Sequence, residues 1–342
     1  MGNREAGTKN QELIFMNPRK KKVAIFSASG CRGCEHAILN IHHQVQSLTR
    51  WVDVVFWPYL LGSGQSELDA LESIDVCFFA GAVTTAVERG MAEQLRAKSR
   101  VMVACGACAA FGGMPGLANL KKDGCPGLPP SPPEADAGQE PMLPRTEHRV
   151  SALEQAVAVD YVIPGCQPTQ SLLWAGFQAL ACGPRSQSKL AFASARLPVR
   201  VAQAITSGIA PPAGTCFAGD KAVCASCSRL KEEKKFKAAV RPYEKYEESG
   251  RCLLEQGLVC MGISTREGCG GLCTGVGQPC RGCFGKAEAV YDPGAKMVSA
   301  ISSTFTSDKK VEIEQMAANL QDLSGTFYRY TMATQCALLD KE

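Results

Sequence analysis

The distribution of cysteine constrains this chain more than any other feature. Of 18 cysteines in 342 residues, nine lie between Cys216 and Cys283, a window of 68 residues. Thiols at that density call for a covalent or metal partner. Disulfides would require an exported protein, but the polar segment from Met1 to Asn10 has no apolar core of the signal-peptide kind and no twin-arginine signal. No apolar run approaches the roughly 18 residues of a membrane span. The expectation is a soluble protein of a reducing compartment, the cytoplasm, whose thiolates hold metal.

Charge excludes other classes. Lys and Arg number 37 against 33 Asp and Glu, a net of +4, and the one basic run, Arg19 to Lys22, is short. Nothing here marks a nucleic-acid or membrane-surface protein. At about 150 residues per domain the length suits two domains, and a 45% hydrophobic content is ample for a core.

The first half alternates strand and helix patterns. Val23 to Ser29, Val52 to Trp57, Ile74 to Ala80, Val101 to Cys105 and Val159 to Ile163 are short β-rich apolar runs. Helical patterns over His36 to Thr49, Thr85 to Lys98 and Ser151 to Val157 separate them. Such alternation predicts an α/β domain with a parallel sheet covered on both faces, where ligands sit at the carboxyl ends of the strands. Three cysteine-bearing loops fall at those ends: Cys31 and Cys34, Cys108, and Cys166. The Pro- and Gly-rich stretch from Pro115 to Pro144 is expected to be an inserted surface loop. Beyond about Leu190 the sheet pattern fades, and in the cysteine-dense region only Arg229 to Lys245 reads as a helix. That region buries too little apolar side chain to fold without metal. A last helix is expected over Ser307 to Leu323, in a tail that packs back on the protein.

Cys31-x-x-Cys34 lies between a strand and a helix start, where exposed N–H groups lower thiol pKa values and favour an anionic cluster. Alone it suits a thioredoxin-like redox pair equally well. Two further loops break the tie, Gly106-Ala-Cys108-Ala-Ala-Phe-Gly-Gly113 and Pro164-Gly-Cys166-Gln-Pro168. Four thiolates from three strand-end loops can converge on one iron-sulfur cluster.

Gly30-Cys-x-x-Cys-Glu35, Gly-x-Cys-Ala-x-x-Gly-Gly at 106 to 113 and Pro-Gly-Cys at 164 to 166 resemble the proximal-cluster motifs of the small subunit of NiFe hydrogenases, and more loosely the related complex I subunit. The resemblance implies a flavodoxin-like domain with a proximal 4Fe-4S cluster on Cys31, Cys34, Cys108 and Cys166, and leaves Cys105 outside. Glu35 then reads either as part of a subunit interface or proton route, or as a helix-start acid stabilised by the dipole.

The stretch from Cys252 to Gly285 resembles the two-cluster domain of the same subunit; no bacterial-ferredoxin run is present. The resemblance implies a medial cluster on Cys269, Cys273, Cys280 and Cys283, and a distal one on Cys224, Cys227, Cys252 and Cys260. Cys224 stands where the respiratory branch commonly has His, and Cys273 where it has Pro beside a three-iron cluster. Three 4Fe-4S clusters, all cysteine-ligated, are therefore expected. Such ligation resembles the cytoplasmic, methyl-viologen-reducing branch linked to heterodisulfide reductase. Gly81-Ala-Val83, Pro115 to Asn119 and Asp292 to Lys296 are similar to that branch as well, whereas Thr84 stands where it has a basic residue.

The implied layout is a flavodoxin-like domain over 20–190, an irregular two-cluster domain over 210–300 and a helical tail over 301–342. The implied role is electron transfer, with no catalytic residue in this chain, between a NiFe large subunit and a further iron-sulfur or flavin subunit. Two alternatives remain open: a relay in a hydrogenase-like complex whose large subunit lacks NiFe, and a non-redox adaptor with zinc at the three CxxC pairs (31/34, 224/227, 280/283). Cys77, Cys105, Cys125, Cys182, Cys216 and Cys336 have no assigned role, and Cys216 lies close enough to a quartet to displace a chosen ligand. His36, His42 and His43 read as packed or solvated. Trp51, Trp57 and Trp174 read as core or interface anchors, and Lys231 to Lys237 as a solvated face. There is no P-loop, GxGxxG or Ser/His/Asp signal.

Overall fold

Each central strand is apolar at odd and even positions alike, so side chains that alternate across the pleat bury both faces of the sheet. In the computed structural model, which describes residues 19–41, 48–120, 146–182, 198–232, 235–236, 238–244, 247–320 and 322–339, six strands form that sheet. They are β1 (Lys21–Ser27), β2 (Val52–Phe56), β3 (Ile74–Ala80), β5 (Ser99–Cys105), β7 (Tyr161–Ile163) and β8 (Thr215–Cys216). Their order is β2-β1-β3-β5-β7-β8, and every adjacent pair is parallel. Counted along the sheet strands alone this is the 2-1-3-4-5 doubly wound order of flavodoxin-like folds, extended by one edge strand.

On one face Val23, Ile25, Val76, Phe78, Val103 and Ile163 meet helices α1 (Gly33–Leu39), α5 (Gln170–Phe177) and α6 (Val199–Ser207). On the other, Ala24, Cys77, Phe79, Met102 and Ala104 meet α2 (Gln65–Ala70), α3 (Ala86–Lys98) and α4 (Gly106–Phe111). Trp57 and Trp174 are buried in the first of these layers and Trp51 packs against it, as core residues.

The five strands expected from sequence are in place. Two short strands, β4 (Val83–Thr85) and β6 (Thr146–Ser151), pair antiparallel outside the main sheet; neither has enough apolar alternation to be read. Ser151 to Val157 forms only a 3-10 turn over Leu153–Gln155. The helix expected over His36 to Thr49 begins earlier, at Gly33, and its 42–47 portion, with His42 and His43, lies outside the described residues. Of the expected loop from Pro115, residues 121–144 also lie outside them. Its first part is a 3-10 helix, Met114–Leu120, in which the Asn119 amide accepts from Val150 N–H and donates to Val150 C=O, both at 2.9 Å.

The second region has another construction. Its segments meet through single bridges, Ala222 with Arg266, Leu230 with Arg251, Val240 with Leu258 and Thr265 with Lys286. Its core gathers Val223, Phe236, Leu253, Leu258, Cys260, Met261 and Cys280 with Met297 and Ile301 of α7 (Pro293–Thr304). The helix expected over Arg229 to Lys245 is not formed at its described positions. Phe236 N–H bonds Thr304 C=O at 2.8 Å, Val240 N–H bonds Gly257 C=O at 2.9 Å, and Leu230 C=O accepts from Cys252 N–H at 2.6 Å. Tertiary pairing has taken the backbone groups a helix would need, and the fully buried Phe236 fixes the outcome.

Helix α8 (Lys310–Asn319) falls inside the Ser307 to Leu323 expectation. After α9 (Leu323–Phe327) comes α10 (Met332–Leu339), which returns to the sheet-bearing region, where Gln155 Nε2 donates to Ala333 C=O at 3.2 Å.

Candidate iron-sulfur sites

The loops after β1, β3, β5 and β7 meet above the carboxyl end of the sheet. Ser29 and Ala82 bridge there, and Ala107 N–H bonds Gly165 C=O at 2.8 Å. Gly81 is required for this approach: its φ is +81°, and a Cβ there would lie 2.6 Å from the Ala28 backbone. Thr84, 6% exposed, makes an internal contact where a basic residue was expected. Its hydroxyl is 2.6 Å from Ser29 Oγ and donates to Glu88 Oε2 at 2.9 Å. Glu88 also accepts from Ser29 Oγ at 2.8 Å and closes a capping box with Thr85 at the start of α3. One carboxylate thus ties the loop before Cys31 to a helix terminus; the Thr85-x-x-Glu88 spacing is the sequence signal for it.

A hollow of about 170 Å³ opens between these loops, lined by Cys31, Cys34, Cys108 and Cys166 together with Gly30, Gly81 and Gly165. Cys31 and Cys166 are exposed, while Cys34 and Cys108 are half-buried. Gly106, at φ +88°, leaves room for Cys34 Sγ, which a Cβ would strike. Cys105 does not line the hollow. It is buried in the core behind, beside Cys34, and burial alone pushes its thiol up to about 12.

The thiols of Cys34, Cys108 and Cys166 are raised, not lowered as the helix start suggested. Burial, then the neighbouring Cys105, Cys108, Cys166 and Cys31, push Cys34 far up. Burial, then Cys166 and Cys31, take Cys108 to about 11. Desolvation outweighs a helix dipole whose effect ends within a turn.

The second region places its cysteines in two neighbouring groups. Cys224 feels Cys252 and Cys227, and Cys260 feels Cys224 and Cys252. Cys283 feels Cys269 and Cys273, and Cys280 feels Cys260 of the first group more strongly than Cys283. Burial is the leading cause in each case, and takes Cys260 to about 11 and Cys283 to about 12. The groups touch: Cys280 N–H donates to Cys260 Sγ at 3.2 Å, and Cys227 Sγ is 3.3 Å from Thr274 Oγ1, next to Cys273. The second group also approaches the hollow, because Cys269 and Cys283 pack against the same apolar layer as Cys34. Cys216, paired with Val162 in β8, packs against the sheet core.

Arg281 and Tyr330 have no sequence signal for their place, and Glu35 takes up an internal one. Arg281, between Cys280 and Cys283, lies near Cys260, its pKa lowered by burial and by Arg329 and Arg241. With Arg241 it lines a cavity of about 280 Å³ over Pro279, Leu258 and Val259. Tyr330 lies beside the Cys280–Cys283 loop, its Cδ2 4.0 Å from where a Cβ on Gly282 would sit. Glu35, 2% exposed, accepts from Trp57 Nε1 at 2.9 Å through Oε1, and its Oε2 has no hydrogen-bond partner among the described residues.

Among the described residues no three His, Cys, Asp or Glu side chains are close enough to hold one metal ion. The sulfurs surround a hollow and not a point. Burial and mutual repulsion both oppose four bare thiolates in such a place, and a positively charged iron core relieves both. An all-sulfur donor set suits iron-sulfur chemistry, so the residues fit that group.

A family profile described as NADH ubiquinone oxidoreductase, 20 Kd subunit, matches residues 31–180. The G subunit of the F420-non-reducing hydrogenase of Methanothermobacter thermautotrophicus is 30% identical over 321 residues, covering 92% of this chain and 94% of that protein. The corresponding vhu G subunit of Methanocaldococcus jannaschii is 30% identical over 286 residues, covering 82% and 88%. The delta subunit of the NAD-reducing hydrogenase HoxS of Cupriavidus necator is 28% identical over 158 residues, covering 44% and 73%. A solved Ni-Fe-Se hydrogenase chain from Desulfomicrobium baculatum aligns over 78% of this chain and 94% of its own, at 16% identity and a TM-score of 0.47. On the near-complete match to the two F420-non-reducing hydrogenase proteins, this chain belongs to the hydrogenase small-subunit family of the F420-non-reducing type, with an electron-transfer role in a hydrogenase-type oxidoreductase complex.

Proposed function

We propose that the chain relays electrons through three 4Fe-4S clusters: one on Cys31, Cys34, Cys108 and Cys166, one on Cys269, Cys273, Cys280 and Cys283, and one on Cys224, Cys227, Cys252 and Cys260. One contact carries this reading: Cys280 N–H donates to Cys260 Sγ at 3.2 Å, which joins two quartets through a ligand's own backbone. Cys269 and Cys283 pack against the same apolar layer as Cys34 of the remaining quartet. When bound, the clusters supply one-electron carriers whose potentials depend on hydrogen bonds and exposure.

The chain's own residues set the ends of the path. At the hollow, Cys31 and Cys166 are exposed, and Tyr59, Leu60 and Leu61 nearby present 41 to 53% of their surface. Arg32 stacks over Tyr59 at 5.2 Å. An exposed apolar patch beside an open site suits a subunit interface, and we assign this face to a NiFe large subunit. The second region then faces a further iron-sulfur or flavin subunit, and the complex works in the cytoplasm. Among the described residues no helix is long and apolar enough to cross a membrane. We assign the sheet-bearing domain to 20–190, the two-cluster domain to 210–300 and the tail to 301–342, with α6 and β8 adding to the sheet-bearing part from beyond residue 190.

The test is anaerobic purification of the complex from its native host, with assays for nickel and for hydrogen-dependent viologen reduction. Nickel in the partner together with activity is expected. Iron and sulfide without nickel would overturn the NiFe assignment, and zinc in place of iron would overturn the relay.

A further inference from the structure

We propose that the cavity lined by Arg241 and Arg281 is a docking pocket for a carboxylate side chain of the further iron-sulfur or flavin subunit. This inference rests on the partner proposed above and names the chemistry of its contact.

The cavity, of about 280 Å³, lies where two of the cysteine groups meet. Val259 in its lining precedes Cys260, and Pro279 and Arg281 flank Cys280, whose N–H donates to Cys260 Sγ at 3.2 Å. A group seated here is therefore next in sequence to a cysteine of each quartet, which is where electrons must pass to an outer subunit.

Arg241 is exposed and Arg281 half-buried, and neither guanidinium makes a hydrogen bond or ion pair among the described residues. One acid, Glu244, lines the same cavity, but its Oε2 accepts from Arg241 N–H at 2.7 Å, across a turn in which Glu244 N–H bonds Arg241 C=O at 3.0 Å. That carboxylate is held by the backbone and pairs with neither guanidinium. Arg281 adjoins Cys280, so a loaded quartet offsets its charge. Arg241 is left without a counter-charge, beside a second cation whose repulsion an incoming anion relieves. A guanidinium offers a carboxylate two parallel N–H donors, so the pair is geometrically matched.

The surroundings favour a carboxylate carried by a protein over a free anion. Tyr243, 85% exposed, and Leu323, 47% exposed, line the same cavity. A small anion gains nothing from them, whereas Arg and aromatic side chains around a pocket are the composition of protein interface centres.

The experiment is a dilution series of the anaerobically purified complex, followed by native mass, for the wild type, Arg241→Lys and Arg241→Gln at low and high salt. Removing one partner of a close charge pair weakens binding by roughly thirtyfold or more, so Arg241→Gln should release the further subunit at a correspondingly higher concentration, with Arg241→Lys between it and the wild type. Salt should weaken the wild type more than Arg241→Gln. Iron content should stay at the wild-type count, because Arg241 is no ligand. Equal dissociation of all three proteins overturns the inference, as does an equal response to salt. Phenylglyoxal, which modifies accessible arginine, gives a reading on the wild type alone: Arg241 should be protected in the complex and react once salt has released the subunit. Reaction at the same rate in both states overturns the inference. So does protection of Arg241 by inorganic phosphate while the subunit still binds Arg241→Gln, which would make the cavity a free-anion site. A wild-type complex without such a subunit overturns the partner reading as well; a subunit that is present and binds every variant equally overturns the docking inference alone.

Discussion

The two cysteine-bearing regions of this molecule differ in what holds them together. In the sheet-bearing region the hollow sits on loops, and beneath it lie two apolar layers with Phe56, Phe78, Phe79 and Phe177 fully buried. In the second region Cys260 and Cys280 are themselves core members, packed with Phe236, Leu258 and Met297. Its backbone is joined by isolated bridges in place of a sheet. A cysteine on a loop above a finished core needs metal for function; a cysteine inside a small core needs it for folding.

Iron removal should break that comparison most sharply. After anaerobic chelation, amides of 252–285 should lose hydrogen-exchange protection by about a hundredfold or more, while those of β3 and β5 stay protected. Equal loss in both regions would show that the sheet also depends on its cluster.

A smaller effect separates ligand from core thiols within the first region. Cys105 is 1% exposed, so Cys105→Ser buries a hydroxyl and should cost about 1–3 kcal/mol in denaturant unfolding. Alkaline pH should expose the same burial. Cys77 and Cys105 are both raised from 9.0 to about 12 by burial. The unfolded chain gives up these protons first, so the stability they contribute is complete below pH 9.0 and is lost as pH climbs towards about 12. Thermal melts of the intact complex from pH 8 upward, against a Cys77→Ala, Cys105→Ala variant, would show the wild type losing more. Parallel pH profiles would contradict it.

The strands of the sheet are legible in the sequence because β-branched and aromatic runs buried on both faces leave a continuous apolar signature. β8, two residues long, leaves none, and β6 is too polar to stand out. The Arg229 to Lys245 segment has the spacing of a helix and is not one, because Leu230, Phe236 and Val240 pair with Arg251, Phe305 and Leu258, residues distant in sequence. The hollow's four cysteines can be read from three motifs. What surrounds them cannot: Thr84 turned inward to Ser29 and Glu88, and Glu35 onto Trp57; nor can Tyr330, which reaches the Cys280–Cys283 loop from the far end of the chain. Each depends on a contact with a residue at least 22 positions away, beyond the reach of local patterning.

The most direct measurement is iron and acid-labile sulfide per chain in the anaerobic complex, for the wild type, Cys108→Ser and Cys105→Ser. Three four-iron clusters predict about twelve iron in the wild type, about eight in Cys108→Ser, and an unchanged count in Cys105→Ser. Loss of iron from Cys105→Ser with Cys108→Ser intact, or near-stoichiometric zinc with no sulfide, would contradict that assignment.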